Sequence, residues 1–260
     1  MDIFTIFGIL FLICLFLLIL SFIYFGRKYA LWLESRSVSR KNEGIQVTQS
    51  AIFALLGLLL AFTFSGALTK FDQRRTLMIN EANAISTLHL RFSLLHPNAQ
   101  NVLNQDLRSY LDLRLKIYSA LPDINAARSY YLKSLAAQDK LWKDIITNIS
   151  QSKSPYDYLL ILPTVNEVFD IANTRINLVK MHPPYYLFFL LVFIALISAF
   201  LVGSTIFEKR KVSPLHIIIF SLVITVVIFS IIDMEYPRIG FIRVNSFDRV
   251  LINLQEKLKE

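Results

Sequence analysis

Residues 44–69 read GIQVTQSAIFALLGLLLAFTFSGALT, a run without Asp, Glu, Lys or Arg. About 20 apolar residues in a helix cross the hydrocarbon core of a bilayer, so this run predicts a membrane-crossing helix over about 48–69. Three further stretches, Ile3–Phe25, Met181–Phe207 and Val212–Ile232, are equally free of those four residue types and equally long. The chain is therefore expected to be an all-α membrane protein. Its four transmembrane helices, at about 3–25, 48–69, 185–207 and 212–232, form two pairs that flank a helical extramembrane domain. The expected divisions are 1–69 for the first pair, 70–180 for the helical domain, 181–235 for the second pair and 236–260 for a C-terminal tail.

Composition agrees: 55% of residues are hydrophobic and only 18% charged, which leaves one long polar segment outside the lipid. The formal charge of +8 is mild for this length. Its basic residues flank spans, as in Arg27, Lys28, Arg36, Arg40 and Lys41 or Lys209, Arg210 and Lys211, where lipid headgroups account for them. The lipid bilayer is thus the implied partner and nucleic acid is not. Cys14, the single cysteine, lies inside the first span, so no disulfide and no cysteine-based metal site forms within one chain. Only Asp2 precedes the first apolar run and Arg27 and Lys28 follow it, the reverse of a cleaved signal, so the span is expected to be retained. The basic residues of 26–49 and 208–211 favour a cytoplasmic side for both short loops. Lys70, Arg74, Arg75, Arg175, Lys180, Arg238, Arg243 and Arg249 on the opposite flanks nearly balance them, so orientation stays open.

In the second span Ala54, Gly57, Ala61 and Ser65 recur at steps of three and four and share one helix face; Ala195, Ala199 and Gly203 repeat the pattern in the third. Such faces let helices approach closely, and both are expected to carry self-association. A narrow water path past Thr63 and Ser65 is the sharper alternative. A second face of the same span, Leu60, Phe64 and Leu68, would form apolar rings around an oligomer axis and gate by dewetting, with Arg74 and Arg75 at its exit favouring anions. Apart from His216 near one end, no Asp, Glu, Lys, Arg or His lies in the middle of a span, which argues against a proton pump or ion-coupled transporter.

Pro97, Pro122 and the Ser150–Pro155 stretch divide the middle segment into helices. After the second span, Leu77, Ile85, Leu88, Phe92 and Leu95 make an apolar face, and at about 100° per residue Glu81 falls about 40° from Leu77, inside it. A carboxylate there needs a cation. Arg175 and Arg74 are the candidates for a buried ion pair, either as a structural bridge between helices or as a functional element. In 157–180, Asn166, Asp170, Asn173 and Asn177 form a polar seam opposite Val165, Phe169, Ala172, Ile176 and Val179. The seam is a solvated face or, alternatively, a wet interface or channel vestibule, and Pro163 either kinks that helix or sets its first turn. Beyond the last span, Asp233, Glu235, Pro237, Arg238, Gly240 and Arg243 compose a juxtamembrane turn with paired charges. No nucleophile–base pair, metal-ligand spacing or glycine-rich phosphate loop occurs. The chain is therefore read as a non-enzyme without cofactor or metal.

Ala61-Phe-Thr-Phe-Ser-Gly-Ala-Leu68, Phe71-Asp-Gln-Arg-Arg75, Asn80-Glu-Ala-Asn-Ala-Ile85, Leu162-Pro-Thr-Val-Asn-Glu167 with Arg175, and the 233–244 block together resemble the bestrophin-like domain family of bacterial and plant membrane proteins. The resemblance covers most of the chain. It implies distant kinship with bestrophins, pentameric anion channels with two span pairs around a helical cytoplasmic region. It therefore implies a homo-oligomer, a pentamer if truly bestrophin-like, a bacterial inner-membrane location and a passive anion channel. Asp233 and Glu235 are the only carboxylates close after the last span, so the resemblance does not extend to calcium gating. The alternative is a non-conducting scaffold or envelope-stress component that binds a protein partner through the helical domain.

Overall fold

The computed structural model describes residues 3–36, 43–151, 156–206, 214–236, 241 and 248–258. Among them the chain is all-α, with eight helices: α1 Ile3–Ser35, α2 Glu43–Phe92, α3 Pro97–Ser119, α4 Ile124–Ser150, α5 Tyr156–Lys180, α6 Tyr185–Ile206, α7 Pro214–Glu235 and α8 Asp248–Lys257. Helices α1, α2, α6 and α7 are long and apolar enough to cross a membrane. The fold divides into two compact units, 1–71 with 182–242, and 72–181 with 243–260.

In the first unit α1 packs on α6 and α7. Leu15, Ile19 and Ile23 of α1, Leu56 and Ala67 of α2, Leu191, Ile194, Ala195 and Ala199 of α6, and Ile228 and Ile231 of α7 form its buried core. Large hydrophobics such as Phe7, Leu17 and Phe189 point outward, as expected of helices solvated by lipid tails. α1 and α6 meet at backbone distance. A Cβ built on Gly203 would stand 2.0 Å from the Ile23 carbonyl oxygen, and one on Gly26 would stand 2.0 Å from that of Phe200. Only a residue without a side chain permits that approach. The small-residue row of the third span is thus filled within the chain, by α1. This corrects the expectation that it carries self-association.

α2 is one helix of 50 residues, about 75 Å at 1.5 Å per residue. That exceeds the roughly 30 Å of a bilayer core, so the helix continues unbroken from the second span into the second unit. Neither Pro nor Gly occurs between Gly66 and Phe92 to stop it.

The second unit is built by the prolines and their caps. Pro97 opens α3 with the His96 ring accepting from the Asn98 N–H, and Asp123, just past Pro122, caps α4 by accepting from the Asn125 and Ala126 N–H groups at 3.0 Å each. Pro163 lies within α5 and not in its first turn. Beside it, Arg91 of α2 donates to the Leu160 carbonyl and the Thr164 hydroxyl. The core joins Ile85, Leu88 and Phe92 of α2, Leu103, Leu107 and Leu111 of α3, Leu141, Ile145 and Ile149 of α4, and Ile161, Val165 and Val168 of α5. Leu251, Leu254 and Leu258 enter the same core, so the residues expected as a tail contribute α8 to this unit.

Candidate functional site

Along α2, residues 54–68 present two faces. Leu56 and Ala67 are buried in the first unit, and Leu60 lies half-buried against that core. Rotating away from it, Phe64 and Leu68 are exposed at 40% and 42%, and Ala54, Gly57, Ala61 and Ser65 on the neighbouring arc are exposed as well. A Cβ on Gly57 meets nothing within 4 Å. Phe62, about 160° from Phe64 at 100° per residue, is 68% exposed. Thr63 donates back to the Leu59 carbonyl at 2.7 Å, so its hydroxyl is occupied by its own helix. Thr205 of α6 donates to Gln49 at 3.0 Å and ties this span to the third.

Arg74 is buried, at 5% exposure, and so does not stand in an open exit from the span. Arg75 is exposed, with Asp72 3.9 Å away one turn earlier. Of the two basic residues expected to attract anions, the surface of the single chain presents Arg75.

The second unit encloses a buried charge network. Glu81, with no exposure, accepts from Arg114 Nε at 2.7 Å and from Arg175 Nη1 at 2.5 Å, one guanidinium on each oxygen. Arg175 Nη2 reaches Asp248 of α8 at 3.3 Å. The Arg175 guanidinium also lies 4.1 Å from the centre of the Tyr118 ring, a cation–π contact. Two cations and two carboxylates thus balance. Burial pushes the Glu81 carboxyl up, but the Arg114 and Arg175 guanidiniums more than offset it and hold the group below the ordinary carboxylate range. The cations on Glu81 are Arg114 and Arg175. Arg74 shares the helix face but stands seven residues away, about 10.5 Å along the axis, and this rise corrects its expected pairing. Arg114 and Asp248 escaped the sequence reading. The signal for Arg114 was present: it continues the apolar face of Leu103, Leu107, Tyr110 and Leu111, a cation as misplaced as Glu81.

Asn166, Asp170, Asn173 and Asn177 lie exposed along α5, with Asn177 donating to Asn173 at 3.2 Å. Asp170 and Asn173 border a cavity of about 230 Å³ between α3, α4 and α5. At the membrane end of the first unit, buried Glu235 accepts from His182 Nδ1 at 3.1 Å and from Lys70 at 3.4 Å. Buried Asp233 accepts from the Phe241 N–H at 2.8 Å. Pro237, Arg238, Gly240 and Arg243 of the juxtamembrane motif lie outside the described residues. Among the described residues no group of three His, Cys, Asp or Glu is placed to hold a metal ion.

The fold is similar to crystal structures of a bacterial bestrophin homologue from Klebsiella pneumoniae. One single-substitution variant gives a TM-score of 0.73 at 14% identity over 95% of this chain and 97% of that one; another gives 0.69 at 14% identity over 94% and 96%. A variant of a crystallised membrane protein gives 0.74 at 13% identity over 95% of both chains. No curated protein matches the sequence. The family model for the Bestrophin-like domain matches residues 13–246, and with the four apolar helices described above this shows that the chain is a membrane protein of the Bestrophin-like domain family.

Proposed function

We propose that the protein is a passive, anion-conducting pore formed by several copies of this chain, five by kinship with bestrophins, in a bacterial inner membrane. The observation that carries this reading is the outward face of α2. Phe64 and Leu68 are apolar, exposed and free of charge in a span in which only Gln49, Leu56 and Ala67 are buried. Copies arranged around an axis with this face inward would ring the path with Phe64 and Leu68, a constriction that excludes water when narrow. Leu60 sits at the margin of the ring. Arg75 supplies positive charge beyond it, and no carboxylate lies in the span to repel an anion.

The test is chloride flux into proteoliposomes holding the purified full chain. Phe64→Ala widens the ring and is expected to raise flux several-fold over wild type, whereas Phe62→Ala, on the far side of the helix, leaves it unchanged. If wild-type and Phe64→Ala proteins both keep chloride and sodium gradients intact, the pore reading falls. A non-conducting scaffold that binds a partner through the helical unit then takes its place.

A further inference from the structure

The last third of α1 carries a ridge on which aromatic and basic residues alternate. Tyr24, Lys28 and Trp32 follow at four-residue steps, and Arg36, just past the end of the helix, takes the next step. Residues four apart stand one above the other on a helix and their side chains lean toward its N-terminus, so each cation comes back over the ring before it. Lys28 Nζ lies 5.1 Å from the centre of the Tyr24 ring, and the Arg36 guanidinium 4.4 Å from that of Trp32. Tyr29 stacks on Trp32 with ring centres 6.1 Å apart and meets Phe200 of α6 at 5.6 Å. Tyr24, Lys28, Tyr29, Trp32 and Arg36 are all exposed, whereas Ile23, Gly26 and Ala30 on the opposite side of the helix are buried.

Depth and charge choose the occupant. The apolar run of α1 ends at Phe25, so Tyr24 marks the edge of the hydrocarbon. Lys28 stands about 6 Å farther along the axis at 1.5 Å per residue, within a headgroup layer roughly 5–8 Å deep. Glu34 is the only carboxylate of residues 26–36, and at about 100° per residue it lies about 120° or more around the helix from both cations. Neither cation is paired with a carboxylate among the described residues. Toward the bilayer centre the same face continues as exposed Leu17 and Leu10. A further copy of the chain pressed onto this face would have to desolvate both cations, whereas a molecule with an anionic head and a hydrocarbon chain matches head to cation and chain to leucine. We propose that this ridge binds an anionic phospholipid. Its phosphate meets the Lys28 ammonium, its outer headgroup lies against Trp32 and Arg36, and an acyl chain runs down Leu17 and Leu10. Binding there requires the membrane location of α1 and does not require conduction.

The experiment is native mass spectrometry of the purified full chain in detergent, titrated with phosphatidylglycerol, with phosphatidylcholine of the same acyl chains, and with glycerol 3-phosphate, which has the phosphate but no chains. One basic residue at an anionic membrane surface supplies about fivefold in affinity. Phosphatidylglycerol is therefore expected to bind at least about fivefold tighter than phosphatidylcholine, and glycerol 3-phosphate to leave no adduct. Lys28→Gln should remove about fivefold of that preference. Trp32→Leu keeps the charge and should still weaken phosphatidylglycerol about twofold or more, and both variants, on an exposed face, should melt like wild type. Arg27→Gln removes the same charge one position earlier, off the ridge, and should change the preference by less than about twofold. Equal losses in Arg27→Gln and Lys28→Gln would reveal diffuse surface attraction and overturn the proposal. So would equal binding of the two lipids, glycerol 3-phosphate binding as tightly as the lipid, or no retained lipid, the result expected if a second copy covers this face.

Discussion

Ala195, Ala199 and Gly203 on α6 lie buried against α1, whereas Ala54, Gly57, Ala61 and Ser65 on α2 are exposed. Both rows have the same residue types and nearly the same spacing. The α6 row brings two helices together within one chain, and Gly26 on α1 answers Gly203 with an equally close approach. The α2 row is left for another surface, which the proposed assembly supplies with a further copy. A small-residue row therefore reports that a close approach takes place, and the partner helix decides whether that approach holds the protomer or the oligomer. Among the described residues the second unit has no such glycine approach; it holds its helices with a leucine-rich core and with charge networks, of which the one around Glu81 is fully buried, so its weak point is electrostatic.

The largest effect is expected at Gly203. Gly203→Ala places a methyl carbon 2.0 Å from a backbone oxygen that no rotamer change can move. The cost should exceed the about 1–3 kcal/mol typical of overpacked cores. Size-exclusion profiles should show aggregated or unfolded material, and a variant that melts like wild type would refute the close packing of α1 on α6.

Glu81→Gln should come next. Breaking a buried pair on one side costs about 3–5 kcal/mol, and here two guanidiniums lose their shared carboxylate. The melting temperature is expected to fall clearly, and Glu81→Gln with Arg114→Met to recover part of the loss. Full additivity of the two changes would show that the groups are not coupled.

A smaller, pH-dependent share of the same network is measurable without mutation. Because the folded carboxyl is held below its ordinary value, the unfolded chain takes up the proton first as pH falls. The stabilisation is fully present above about pH 4.3, the ordinary glutamate value, and drains away as pH drops toward the folded value. Glu81→Gln should flatten this acid limb of the stability curve. A limb unchanged in the variant would assign the acid loss to other carboxylates.

Gly57→Leu completes the comparison with the smallest expected effect on the single chain. With no atom within 4 Å of the added Cβ, thermal stability of the protomer should stay at the wild-type level, while particle mass by light scattering should fall. Unchanged mass would remove the second-span row from the assembly. A drop in stability like that of Gly203→Ala would erase the distinction between the two rows.

Much of this organisation was legible because it depends on near neighbours. Apolar runs of span length, prolines at helix starts and the misplaced carboxylate of Glu81 all reveal themselves within a few residues of sequence. The uninterrupted course of α2 was also written locally, in the lack of any breaker after Gly66. Of the partners of Glu81, Arg175, 94 positions away, was among the candidates, whereas Arg114, 33 positions away, was not. The return of Leu251, Leu254 and Leu258 to the helical core was likewise hidden, although their spacing marks an amphipathic turn.

By itself the sequence determined that the chain is helical, crosses a membrane with four apolar segments, and must neutralise a carboxylate on an apolar face. Those properties follow from hydrophobic length, backbone propensity and desolvation, which act along the chain. Only the tertiary structure decided which small-residue row is filled by α1, which two arginines share Glu81, and that the Tyr110 hydroxyl is buried without a hydrogen-bond partner among the described residues. Those outcomes depend on which helix faces meet in space. Many arginines and many apolar faces satisfy the same local rule, and close packing selects among them.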